Sequence, residues 1–368
     1  MKKVFLFAGG GTGGHLFPGL AIAEALGDLA PGSQAFFACS ARPLDAQILT
    51  GERVEFEPIP AAPVAFSPRA FLRFIGSWGG AVRKGRTVIR KLRDRGDVHV
   101  VSMGGFVAAP VVQAARAERV PVTLVNLDAV PGKANVWIAR HAGRVLTSAP
   151  VAGRAWEVVP PIVRVKALPN AGPGACRQML NLDPATPTLL VTGASQGARS
   201  INQLIERLLE TRPEVFRGWQ AIHQTGAERD GTGPESVAAA YKKAGVRAEV
   251  RAFLSEMGQA WGAATLAVSR SGAGSVGEAW AARVPTLFMP YPYHKDAHQR
   301  LNALPMEAKG ACVMAKDRID PAANAGAIGP VLEALMGDEG RRAAMHAALE
   351  ALGPADGASR VARALLRS

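Results

Sequence analysis

The sequence predicts an α/β protein of two Rossmann-like, doubly wound domains, and three observations carry that prediction. Short apolar runs alternate with helical patterns along the chain, as in parallel βαβ units. Glycine-rich turns directly follow four of those runs, two in each half. The 368 residues exceed one ordinary core and suit two domains of roughly 150–200 residues each.

The elements follow in order. Residues 4–8 (VFLFA) are uniformly apolar, as a strand covered on both faces must be. Residues 35–38, 98–102, 122–125 and 145–147 repeat that signal, and residues 20–26 form the body of the first helix. In the second half the strands are expected at 189–192, 220–223, 250–253, 266–269 and 286–289. Helical patterns lie at 200–209, 277–282 and 299–308. Pro169, Pro173, Pro184 and Pro187 cluster between the halves and predict the boundary within 168–188. The expected domains are 1–168 and 169–368, with the last helix packing back on the first. A ligand cleft is expected between them, outside the carboxyl ends of the strands.

Composition excludes several classes. Cys39, Cys176 and Cys312 are too far apart for a disulfide framework or a zinc site, which suits a reducing cytosol. Met1-Lys2-Lys3 leads straight into the first apolar run and its glycine turn, so that run is expected to be a strand and not an export signal. No apolar run reaches the ~18 residues of a membrane span. The net charge is +13, and much of it is concentrated. Between Arg69 and Arg95 stand nine basic residues and one acid, Asp94, interleaved with Phe71, Leu72, Phe74, Ile75 and Trp78. That mixture suits an anionic bilayer surface; a solvated helix face is the plainer reading. Nucleic acid is not expected, because no binding motif accompanies the charge.

The four turns are Gly9-Gly10-Gly11-Thr12-Gly13-Gly14-His15, Ser102-Met103-Gly104-Gly105-Phe106, Gly193-Ala194-Ser195-Gln196-Gly197-Ala198-Arg199 and Ser269-Arg270-Ser271-Gly272-Ala273-Gly274-Ser275. Bare backbone at a helix N-terminus suits a phosphate. None of the four matches a full dinucleotide fingerprint or a Walker loop. His294, Asp296 and His298 invite a metal reading because the two histidines stand at i, i+4, but no third ligand is placed with that pair by spacing and no Asp-x-Asp pair occurs, so no metal is expected. No cofactor is expected either.

Together, "GGGTGGHLFPGLAIAEAL", "SMGGFVAAP", "TGASQGARSIN" and "SRSGAGSVGEAWAARVPTLFMPYPYHKDAHQRLNA" resemble the MurG family of inverting GT-B glycosyltransferases, from residue 3 to about 310. The resemblance implies a GT-B fold and transfer of N-acetylglucosamine (GlcNAc) from UDP-GlcNAc to the C4 hydroxyl of MurNAc. The acceptor would be undecaprenyl-pyrophosphoryl-MurNAc-pentapeptide (lipid I), giving lipid II for peptidoglycan synthesis. It implies a peripheral protein on the cytoplasmic face of the cell membrane, docked through residues 69–95, with other cell-wall or division proteins as possible partners.

Carried over residue by residue, the resemblance assigns UDP-GlcNAc to Thr12, Gly13, Gly14, Asp128, Ser195, Gln196, Leu254, Ala273, Gly274, Ser275, Val276, Gly277, Glu278 and Gln299. Glu278 would bind the ribose hydroxyls, the backbone of Leu254 the uracil edge, and Gln299 the GlcNAc hydroxyls. Gly104, Gly105, Phe106 and Asn135 would meet the polyprenyl-diphosphate-linked acceptor. His15 is the expected general base, or else a group that caps the turn and positions substrate. Two departures fall on the acceptor side and the cleft. The family's His-Glu-Gln-Asn is here Val125-Asn126-Leu127-Asp128, and its Asn-Pro-Val-Arg is Asn170-Ala171-Gly172-Pro173, without the arginine. They keep open a related glycosyltransferase with another lipid acceptor, and a non-catalytic nucleotide-sugar-binding relative.

Overall fold

A computed structural model of the chain describes residues 2–11, 13–63, 68–193, 197–228, 230–293 and 296–368, with 68–73 described by backbone alone. The chain forms two compact units, Met1–Arg164 with Asp356–Ser368, and Val165–Ala355.

The first unit runs β1 (Lys3–Ala8), α1 (Gly13–Leu29), β2 (Gln34–Ser40), α2 (Pro43–Gly51), β3 (Glu55–Ile59), α3 (Pro68–Arg93), β4 (Asp97–Ser102), α4 (Ala108–Ala117), β5 (Val122–Asn126), α5 (Lys133–Ala139), β6 (Arg144–Thr147) and β7 (Glu157–Val158). The second runs α6 (Pro173–Met179), β8 (Thr188–Thr192), α7 (Arg199–Thr211), β9 (Gln220–Gln224), α8 (Pro234–Lys243), β10 (Ala248–Arg251), α9 (Met257–Ala263), β11 (Leu266–Ser269), α10 (Ala273–Ala282), β12 (Thr286–Phe288), α11 (His298–Glu307), β13 (Cys312–Met314), α12 (Pro321–Gly337) and α13 (Glu339–Ala351). The last helix, α14 (Gly357–Leu366), belongs to the first unit and packs on α1.

Both sheets are parallel. Their orders are β3-β2-β1-β4-β5-β6-β7 and β10-β9-β8-β11-β12-β13. Val4 to Ala8 have no exposed surface, because helices cover both faces of the strand. In each sheet the order reverses once, between β1 and β4 and between β8 and β11. At those points the chain leaves adjacent strands in opposite directions and opens a crevice at their carboxyl ends. The described residues of the four glycine turns lie there, after β1, β4, β8 and β11.

The departures from the sequence reading share a cause. β3 and β7 give no apolar run of their own, the three-residue β13 lies in a short apolar run (311–315) that the sequence reading did not assign, and β10 lies two residues before the expected strand. All four are edge strands. An edge strand is partly solvated and carries charge or is short, so its apolar signal is weak. The boundary also moves. The proline-rich stretch 168–188 lies inside the second unit, where Pro173 starts α6 and the buried Cys176 packs against Gly262 of α9. The first unit's main segment runs instead to Arg164, which is nearly buried. It donates to Glu24 at 2.6 Å and to Glu52 at 2.8 and 2.9 Å.

Candidate active site

In the first unit the turns after β1 and β4 interlock. A side chain at Gly11 (φ +90°) would meet the Phe106 ring at 2.6 Å, and one at Gly104 (φ +88°) would meet the Asn135 amide at 2.6 Å. Both positions combine a left-handed backbone with no room, so glycine is required twice over. A Cβ at Gly105 would lie 3.2 Å from the Gly10 carbonyl and 3.4 Å from the His15 ring. The turns therefore bring together Gly13, His15, Gly104, Gly105, Phe106 and Asn135, while Gly14 is exposed beside them. Thr12 lies outside the described residues.

Two residues that the sequence reading missed clasp this turn. Buried Asp45 accepts from the Gly11 N–H at 2.8 Å, the Ser40 N–H at 3.0 Å and the Ser40 hydroxyl at 2.7 Å. Arg42 donates to the Gly11 carbonyl at 2.5 Å. The expectation that this backbone stands bare for an anion is thus corrected at Gly11, whose N–H and C=O are both taken by the chain. No local motif marked Asp45, which reaches the turn from α2 across 34 positions of sequence.

His15 sits in the first turn of α1, largely enclosed. Burial lowers its pKa below the ordinary 6.5, while the carboxylates of Asp128 and Asp45 pull the other way. The imidazole is accordingly neutral at neutral pH, the form a base needs. Asp128 thus acts on His15 in the first unit. Its backbone is fixed by buried Asn126, which donates to the Asp128 carbonyl at 2.7 Å and to Thr147 at 3.0 Å and accepts from Asn135 at 3.0 Å.

In the second unit the turn after β11 leads into α10. Gly272 caps the helix with ordinary dihedrals, φ −64° and ψ 154°. A Cβ at Gly272 or Gly274 would meet nothing within 4 Å. Neither packing nor conformation demands glycine at Gly272. The open space instead suits close approach of a ligand to the first-turn N–H groups of Ala273, Gly274 and Ser275. Val276 and Gly277 are buried under that turn.

One turn further on, Glu278 accepts from the indole N–H of fully buried Trp261 at 2.9 Å. Trp261 is its only hydrogen-bond partner among the described residues, which leaves Oε1 uncommitted. Burial pushes the Glu278 carboxyl up from 4.5 to about 7, with the Trp261 bond opposing. The Leu254 backbone N–H donates to the Gln224 side chain at 3.0 Å, which leaves its carbonyl as the backbone group open to a base. Gln299, near the start of α11, accepts from the Tyr291 N–H at 2.9 Å. Ser195, Gln196 and His294 lie outside the described residues. His298 contacts Asp296 at 2.9 Å, and no group of three metal-ligating side chains occurs among the described residues.

Arg270, in the fourth glycine turn, carries no motif signal of its own in the sequence. Its guanidinium is nearly buried and pairs with Asp317 at 2.8 Å, donates to Ser200 at 2.8 Å and to the Met289 carbonyl at 2.8 Å. Asp317 also accepts from Asn324 at 2.9 Å. This network fixes the end of β11 from which α10 departs.

The basic segment is mostly α3, and its charge is less free than the sequence suggests. Glu118 pairs with Arg86 at 2.7 Å, Arg90 at 2.9 Å and Arg93 at 3.5 Å; Lys84 pairs with Glu57 at 2.5 Å, and Arg95 with Glu55 at 2.7 Å. Trp78 packs on the core, 6.3 Å from Trp137. The exposed residues of α3 with described side chains are Ile75, Gly76, Gly79, Arg83, Thr87, Arg90, Lys91 and Arg93. Phe71, Leu72, Arg69 and Arg73 lie outside the described side chains. Among the described residues no helix is long and apolar enough to cross a membrane.

Residues 5–147 match the glycosyltransferase family 28 N-terminal domain, and residues 188–350 match the C-terminal domain of the same family. A relative from a Nocardioides species is named UDP-N-acetylglucosamine–N-acetylmuramyl-(pentapeptide) pyrophosphoryl-undecaprenol N-acetylglucosamine transferase. It is 35% identical over 367 residues, spanning 98% of this chain and 97% of its own. A relative of the same name from Halorhodospira halophila is 34% identical over 376 residues, with 98% and 97% covered. The crystal structure of Acinetobacter baumannii MurG matches all of both chains with TM-score 0.75 and 24% identity. A UDP co-structure of S. aureus MnaA covers 98% of this chain and 95% of its own, with TM-score 0.65 and 13% identity. The structural likenesses establish a GT-B fold, and with both family 28 domains and relatives aligned almost end to end, the chain belongs to the MurG family.

Proposed function

We propose that this protein transfers GlcNAc from UDP-GlcNAc to the C4 hydroxyl of MurNAc in undecaprenyl-pyrophosphoryl-MurNAc-pentapeptide, giving lipid II and UDP in peptidoglycan synthesis. One observation carries the reading: all four family turns fall at the two points where the sheets reverse their strand order. Relatives that carry this activity in their names supply its chemistry.

The acceptor oxygen attacks the anomeric carbon from the face opposite UDP, and the bond to the diphosphate oxygen breaks, inverting the centre. Neutral His15 takes the hydroxyl proton. Asp128 stabilises the imidazolium that results. Charge growing on the leaving diphosphate is met by the first-turn N–H groups of Ala273, Gly274 and Ser275 and the α10 dipole. Glu278 takes the ribose diol, the Leu254 carbonyl the uracil imide, and Gln299 the sugar hydroxyls. The family resemblance assigns Thr12, Gly13, Gly14, Ser195 and Gln196 to UDP-GlcNAc as well. Gly104, Gly105, Phe106 and Asn135 form the acceptor side. The exposed stripe of α3, with Arg83, Lys91 and Ile75, supports peripheral docking at the cytoplasmic face of the membrane.

The test is incubation of purified protein with UDP-GlcNAc and a panel of lipid-linked acceptors, with the product identified by mass spectrometry. A β-linked GlcNAc on the MurNAc C4 oxygen is expected. Transfer only to a different lipid acceptor would replace the acceptor half of the reading. Binding without transfer to any acceptor would overturn catalysis.

A further inference from the structure

Arg42 stands just before α2, exposed, at the edge of the first glycine turn. Its backbone N–H donates to the Ser40 hydroxyl at 3.3 Å, and its Nη1 donates to the Gly11 carbonyl at 2.5 Å. The guanidinium carbon lies 5.5 Å from the centre of the Phe106 ring, the ring that fills the space over Gly11. Among the described residues no carboxylate pairs with it. The nearby buried Asp45 spends Oδ2 on Gly11 and Ser40. A guanidinium has five N–H donors in a planar fork, and one bond uses only part of it. A cation fixed by a backbone carbonyl on one side and an aromatic ring on another loses little freedom on binding. Its open edge matches a phosphate oxygen pair.

The position selects the ligand. Arg42 touches Gly11 and Phe106, and the Gly104–Phe106 turn packs against the same loop and against His15. We infer that Arg42 reads the diphosphate of the lipid-linked acceptor, and so distinguishes diphosphate-linked from monophosphate-linked sugars. This rests on the acceptor side proposed above. The diphosphate of UDP-GlcNAc has the same chemistry, and the experiment separates the two sources.

Arg42→Gln removes the charge and leaves a neutral amide; Arg42→Lys keeps the charge and removes the fork. Steady-state kinetics are measured with short-chain soluble MurNAc-pentapeptide acceptors carrying either a diphosphate or a monophosphate, and thermal unfolding is followed in parallel. Arg42→Gln is expected to raise KM for the diphosphate acceptor about tenfold to a hundredfold, the loss of charge-assisted hydrogen bonds. The preference over the monophosphate acceptor should shrink by the same factor, with KM for UDP-GlcNAc and the unfolding temperature unchanged. Arg42→Lys should recover part of the loss. Equal losses on both acceptors would reduce Arg42 to a loop support. A rise in KM for UDP-GlcNAc alone would move it to the donor. Either result overturns the inference. A wild-type protein that glycosylates neither acceptor would overturn the proposed function itself, and the inference with it.

Discussion

Donor binding should depend on pH through Glu278. Burial raises this carboxyl to about 7, so the free protein at neutral pH holds it half protonated. A ribose diol donates two hydrogen bonds, and the ionised form is the better acceptor of both. Binding therefore selects the ionised fraction, and the apparent Kd is the intrinsic value divided by that fraction. With the carboxyl at about 7, roughly one-tenth is ionised at pH 6 and about nine-tenths at pH 8. Affinity for UDP-GlcNAc should thus fall about tenfold from pH 8 to pH 6, about 1.4 kcal/mol.

Calorimetry is the assay, run in two buffers of different ionisation enthalpy. UDP-GlcNAc is the right titrant because its diphosphate is esterified at both ends and does not titrate in this range. About half a proton should be released per binding event near pH 7. Glu278→Gln should bind weakly and without this pH dependence. The free protein shows the opposite sign. A raised carboxyl pKa contributes stability when protonated, full below 4.5 and lost as pH rises through about 7. Glu278→Gln should therefore be more thermostable than wild type at pH 8. Glu278→Ala should not, because it leaves the buried Trp261 indole N–H without a partner. A Kd that is flat between pH 6 and 8 in the wild type would refute the reasoning.

Three further expectations follow from the same geometry. His15→Ala should cut kcat by about 10²–10⁴ while calorimetric affinity for UDP-GlcNAc holds; full turnover in the variant would remove His15 as base. Since burial keeps His15 below 6.5, the acid limb of kcat in the wild type should also lie below pH 6.5. Arg83→Glu with Lys91→Glu should release the protein from anionic vesicles, at about 1 kcal/mol per original charge, and spare turnover of a short-chain acceptor. Arg86→Glu, which sets a second acid against Glu118, should instead lower thermal stability, and undiminished vesicle binding by the double variant would end the membrane assignment. Gly274→Ala should fold normally yet lose donor affinity, whereas Gly104→Ala should destabilise the first unit; unfolding curves and calorimetry decide both.

What the sequence made legible was local and apolar. Central strands such as β1 and β11 announce themselves because burial on both faces forces uniform hydrophobicity. The four turns are equally legible, since each gathers glycines directly after an apolar run. Edge strands are not, because solvent permits them charge: β3 reads Glu-Phe-Glu-Pro-Ile, and β7 has two residues. Partnerships across long sequence separations are also silent. Nothing near Glu278 marks Trp261 as its donor, and nothing near Arg86 marks Glu118 as its counter-ion. Hence the reading overestimated free charge on α3 and missed the burial that sets the Glu278 carboxyl.

The two kinds of glycine turn have different physical causes, and the difference fits the division of labour proposed for the units. After β1 and β4 the chain itself occupies the space that side chains would fill: Phe106 over Gly11, Asn135 over Gly104, Asp45 and Arg42 on either side of the Gly11 peptide groups. Such packing fixes the backbone that carries His15, and a base must be held within a fraction of an ångström to act. After β11 the space beside Gly272 and Gly274 is left open, as a backbone surface for a diphosphate requires. The departure at residues 125–128 is consistent with the first case. Asn126 there binds the Asp128 carbonyl, Thr147 and Asn135 at once, and Asn135 in turn fills the space over Gly104. An uncharged amide thus connects Asp128, which acts on His15, to the turn after β4. The proposed acceptor side has a single connected scaffold although its sequence differs from the family pattern.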